Sequence, residues 1–158
     1  MIEAKFKGTS NSDRKTPENS DTFYGHPWVE WFAMRDAGIA ILRDRGAVRR
    51  LITYPELWEA IETRLGKELG SSQWKVSRLL EDIDEESGLD AQFILTALVV
   101  DARTGEPSEG FLRLASKRHL LAEKDTPPIG QAGQKLTPEQ RRFWEDQKAG
   151  VFKLLNAS

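Results

Sequence analysis

The residues best suited to chemistry lie in the segment "QWKVSR", residues 73–78. Gln73, Trp74, Lys75 and Arg78 fall in its front part and at its end. Glutamine, lysine and arginine near the start of a helix can reach base edges or phosphate oxygens. A helix N-terminus itself favours an anion. Arg49, Arg50, Arg103, Lys117 and Arg118 are further cations of the type that holds phosphates at helix ends and loop tips. The activity this set predicts is binding of nucleic acid, DNA foremost, without catalysis. An ordinary structural role competes with it: Arg78 can pair with Glu81 or Asp82, and Trp74 can pack beneath an N-terminal arm. The same segment runs on into "EDIDEES", whose carboxylates would repel phosphates.

Catalytic chemistry finds less footing. Asp101 ends an apolar run, a position where catalytic acids occur. A metal-dependent nuclease, the least favoured reading, would want a second acid and a lysine on an adjoining strand. The nearest acids, Glu106 and Glu109, fall in the following turn and helix start. Asp101 is therefore expected to shape a turn, with Gly105 at positive φ. The chain has no cysteine, which excludes disulfides, cysteine-based zinc sites and a thiol nucleophile. Its two histidines, His26 and His119, are far apart and lack metal-ligand spacing. No phosphate-cradling glycine loop or Gly-x-Ser-x-Gly elbow is present. No catalytic residue, metal or cofactor is expected.

The elements that must carry these residues follow from periodicity and caps. Residues 1–25 are polar and read as a flexible arm. Residues 26–158 form the single domain. A first helix runs from Pro27 to Gly46; Trp28, Trp31, Phe32, Ile39, Ile41 and Leu42 surround it, so it is buried on more than one side. A short strand lies in "VRRLIT". A second helix is capped by Thr53 with Glu56 three residues on, the spacing of a capping box. Leu57, Trp58, Ile61 and Leu65 form its buried stripe. The third helix begins at Ser71 or Ser72 and buries Val76, Leu79, Leu80 and Ile83. Its other face carries Trp74, Arg78, Glu81 and Glu85. "FILTALVVD" (93–101) reads as the best strand. A turn, a helix from "SEGF" and a loop at 125–135 follow. A last helix starts at Thr137, with Pro138 first and Gln140 three on.

This order predicts a mainly α fold with a small β-sheet (α+β), arranged as a winged helix-turn-helix with flanking N- and C-terminal helices. Segment 47–52 would pair with 94–100, and 101–107 would be the wing tip. Phe111 would re-enter the core behind Gly110.

Composition bounds the partners. The 158 residues suit one core, with 39% hydrophobic content and five tryptophans. Lys and Arg number 23 against 25 Asp and Glu, so only a local patch could hold nucleic acid. Near-neutral charge and the tryptophans favour the alternative, a protein–protein interaction module on the same fold. The N-terminus lacks an apolar signal core and no run reaches the ~20 residues that span a bilayer, so a cytoplasmic protein with no membrane partner is expected.

"TYPELWEAIETRLG", "SQWKVSRLLEDI" and "LTALVVDARTGEPSEGF" resemble a loose group of uncharacterised bacterial winged helix-turn-helix-like proteins, over about residues 50 to 115. The same stretch distantly resembles the DNA-binding domain of alkyltransferase-like proteins, which implies a helix-turn-helix scaffold. That family's reactive motif, Pro-Cys-His-Arg-Val or Pro-Trp-His-Arg-Val, would fall at "LTALVV". No Cys, His or Arg stands there, which excludes alkyl transfer.

Overall fold

Helix α1, Trp28–Ala47, is the axis of the molecule. In this computed structural model, which describes residues 22–23, 25–70, 73–107, 109–126 and 135–156, α2 (Tyr54–Leu65), α3 (Gln73–Glu86) and α5 (Pro138–Asn156) all pack on it. The chain before residue 22, most of the expected arm, lies outside the described residues, as does most of the expected 125–135 loop. The end of the expected arm belongs to the fold. Strand β1, Thr22–Phe23, pairs antiparallel with β2, His26–Pro27, around Gly25 at φ 83°.

Close approach to α1 depends on two glycines. Ile83 of α3 and Ile61 of α2 fill the space that a Cβ at Gly38 would need. Leu155 of α5 and Leu98 do the same at Gly46. Trp31, Met34 and Leu42 on α1 are fully buried, as the all-round apolar pattern predicts. Phe32, expected among the buried residues, is instead 43% exposed.

The helix caps follow the sequence. The Thr53 hydroxyl accepts from Glu56 N (3.3 Å) and the Glu56 carboxylate accepts from Thr53 N (3.0 Å). Thr137 and Gln140 make the same reciprocal pair at the start of α5, at 3.1 and 2.9 Å. Both α1 and α4 (Glu109–Lys117) end on a non-glycine residue in the left-handed region, Arg49 (φ 58°) and His119 (φ 62°). Arg50 N and Leu120 N reach back five residues to Arg45 O and Ala115 O, which closes each cap.

The expected long strand at 93–101 is the main departure. Leu95–Leu98 is a 3-10 turn, and only Val99–Val100 is strand, β4. It pairs in parallel with β3, Ile52–Thr53, in the register Ile52↔Val99. Long-range side-chain bonds hold the turn: the Thr96 hydroxyl and amide bind Asp84, and Trp144 Nε1 donates to Ala97 O (2.9 Å). All four turn residues are buried. A continuous apolar run suits either backbone, and here enclosure by α1, α3 and α5 decides.

The residues after β4 form a closed turn that leads directly into α4. Asp101 N donates to Glu106 O (2.9 Å), and Gly105 N, at φ 73°, donates to Asp101 O (2.7 Å). Residues 101–107 therefore shape a turn, as the Asp101 and Gly105 pattern predicts, with no return strand among the described residues. Phe111 is buried, as expected, in a second cluster with Ile94, Leu112, Ala115 and Trp144. The fold is mainly helical with a small parallel sheet, an α+β arrangement. Among the described residues, no helix is long and apolar enough to cross a membrane.

Candidate functional site

Helix α3 carries the foremost candidate residues. Gln73, Trp74 and Lys75 lie in its first turn, and their side chains fall outside the described residues. Arg78 lies one turn further on and is half-buried. Its guanidinium binds Glu81 (3.0 Å) and lies 3.5 Å from Asp82. Asp82 is itself buried and accepts from Trp31 Nε1 on α1 (2.8 Å). Arg78 thus neutralises carboxylates on its own helix and helps to seat α3 against α1. The exposed residues at the end of α3 are acidic, Glu85 and Glu86.

The other cations sit on separate features. Arg49 and Arg50 are exposed beyond the C-terminus of α1, and the Arg49 guanidinium lies 6.0 Å from the Phe152 ring centroid. Arg103 is exposed but tied to Asp101 through its backbone N (2.7 Å), Nε (3.2 Å) and Nη2 (3.0 Å). Those bonds hold the Asp101 carboxyl below its ordinary range. Lys117, exposed, and Arg118, half-buried, end α4. Cations at helix C-termini complement the macrodipole, which gives Arg49, Arg50, Lys117 and Arg118 a structural role. Parallel pairing separates them further: Arg49 and Arg50 precede β3, Arg103 follows β4, and the two sets leave opposite ends of the ladder.

Several polar residues in the interior were missed by sequence reasoning. The Asp84 carboxylate is buried and accepts from Thr96 N (3.1 Å) and Thr96 Oγ1 (2.6 Å). Burial is the dominant influence and pushes its pKa up to about 7, against the lowering effects of the Thr96 bonds and the Arg118 charge. The signal was present, because Leu80, Asp84 and Ser87 stand at i, i+4 and i+7 on one buried stripe. Glu106 is likewise buried and pairs with Arg141 of α5. Around the start of α1, Glu30 bridges Lys67 and His26, which hold its carboxyl below the usual range. Among the described residues, no group of histidines and carboxylates could hold a metal ion.

A contrasting surface lies on the N-terminal half of α1. Val29 is 81% exposed and Phe32 is 43% exposed. The Phe32 ring stacks at a tilt against Trp28, with centroids 5.7 Å apart, and the Arg35 guanidinium lies 4.8 Å from the Phe32 centroid. Helical spacing puts Trp28, Phe32 and Arg35 in one row with Val29 beside it.

No protein-family description, curated protein or solved structure matches the chain.

Proposed function

We propose that this chain is a non-enzymatic binding module whose partner is a protein, held on the N-terminal half of α1. The observation that carries this reading is the exposure of Val29 and Phe32 beside Arg35. An aromatic ring with a guanidinium over one face suits an apolar or aromatic side chain of a partner. The cations support the same choice. Arg78 and Arg103 are engaged by Glu81, Asp82 and Asp101, so their charge is spent within the fold. A duplex would have to displace those carboxylates, and the acidic end of α3 would oppose it.

The nucleic-acid reading rests on Gln73, Trp74 and Lys75 in the first turn of α3, with Arg49, Arg50 and Lys117 as exposed outliers, and its winged-helix scaffold rests on the order of the elements. One experiment separates the two. Partners captured from the source cells on wild-type protein are purified and retested by calorimetry against wild type and Phe32→Asp. The protein reading expects direct binding that Phe32→Asp weakens at least tenfold, about 1.4 kcal/mol. Fluorescence anisotropy with duplex and single-stranded DNA runs in parallel. Binding to DNA that Lys75→Glu abolishes, with Phe32→Asp unaffected, overturns the protein reading in favour of nucleic acid.

A further inference from the structure

The outer side of α1 carries opposite charges at a spacing that a second copy of the chain can use. Val29, Asp36 and Arg43 recur every seven positions, two helical turns, and so line one side of the helix. Ala33, Ala40 and Ala47 run beside them at the same spacing. Val29, Phe32, Asp36 and Ala47 are exposed, and Ala40 and Arg43 are half-buried. The Asp36 carboxylate lies 3.0 Å from Arg35 on the same helix, yet 64% of its side chain stays in solvent. Arg43 donates through Nη2 to Ser87 O (2.7 Å), which anchors its guanidinium between α1 and the residue just beyond α3. The exposed Val29 and Phe32 are thus continuous with a carboxylate and a guanidinium along one helix.

We propose that the partner held on α1 is a second copy of this chain, with its own α1 lying antiparallel across the first. The proposal rests on the reading of α1 as a protein-binding surface and names the occupant. A two-fold axis that pairs one residue with another also pairs the second with the first. Asp36 set opposite Arg43 of the second copy therefore brings Arg43 opposite that copy's Asp36, and one register yields two ion pairs. Counting outward from those pairs, Phe32 falls opposite Ala47 of the second copy, and the axis passes between Ile39 and Ala40. A large ring then meets a small side chain, and the methyl group at the crossing lets the helices approach closely. The ion pairs fix the register, while Val29 and Phe32 supply the apolar area. Two copies at a net charge of -2 each repel one another little.

Sedimentation equilibrium from about 10 μM to about 1 mM tests the association. The full chain is expected to dimerise, and Phe32→Asp and Asp36→Arg are each expected to weaken the dimer at least tenfold. Both positions are exposed, so the far-UV spectrum should be unchanged. Because the chain has no cysteine, a single introduced thiol reports its own surroundings. Ala40→Cys, beside the axis, should give a disulfide-linked dimer under mild oxidation. Ala33→Cys, also half-buried but roughly 20 Å from its symmetry mate, should not. A chain that stays monomeric at about 1 mM, a dimer that Phe32→Asp leaves intact, or equal linking through Ala33 and Ala40 overturns the proposal. If the monomer still binds a purified foreign protein and loses it on Phe32→Asp, only the second copy is ruled out. If it binds neither, the protein reading of α1 falls as well.

Discussion

Thr53 shows how much one side chain does at a helix start. Its hydroxyl serves Glu56 N, while the Glu56 carboxylate serves Thr53 N and is held below its ordinary range by those bonds. Thr53→Ala should cost about 1 kcal/mol, read as a lower urea midpoint at constant slope. This pair was legible in the sequence because both partners lie within one turn of chain, as they do for Thr137 and Gln140. The turn at Asp101 and Gly105 was legible for the same reason. The buried polar residues were not. Asp82 finds Trp31 51 positions away, and Ile94 N finds Gln147 53 positions away. Without those partners in view, a charged residue reads as surface. Arg78 illustrates the ambiguity: its type and place fit phosphate binding, and its neighbours at i+3 and i+4 claim it instead.

At the scale of elements, α1 and the three long helices around it were readable from apolar periodicity, and β3 from its β-branched end. The 93–101 segment was not readable as a 3-10 turn, because its backbone is decided by Asp84 and Trp144 from elsewhere. Helix α5 carries a second consequence of tertiary contact. Gly150 lies within α5, where Gly→Ala ordinarily stabilises by roughly 0.5–1 kcal/mol. Here the Phe93 ring occupies the space a Cβ would take. Gly150→Ala should therefore destabilise by about 1–3 kcal/mol, the range of overpacked sites. Combining it with Phe93→Leu should restore part of the loss in urea unfolding. A Gly150→Ala protein more stable than wild type would show that α5 does not sit against Phe93.

For the molecule as a whole, two sets of carboxylates pull stability in opposite directions with pH. Glu30, Glu56 and Asp101 have lowered pKa values in the folded state. Their contribution is complete above the unfolded value and is lost as pH falls through the folded one. Asp84 runs the other way, raised from 3.8 to about 7. Its contribution is complete below the unfolded value and is lost as pH rises through the folded one. Thermal melts should therefore show greatest stability on the acid side of neutrality, with a decline toward about pH 7 that Asp84→Asn removes. A wild-type profile flat from pH ~4 to ~8 would contradict the buried, unpaired placement of Asp84.

The central position of α1 also sets the order in which the native state opens. Trp31, Met34 and Leu42 belong to the larger apolar cluster, whereas Phe111, Leu112 and Ala115 of α4 belong to the smaller one. Leu51 touches both. Amide protons in the middle of α1 should exchange with deuterium only when the whole chain unfolds. Those of α4 should exchange through a smaller opening that leaves α1, α2 and α3 intact, so the two helices report different free energies in one experiment.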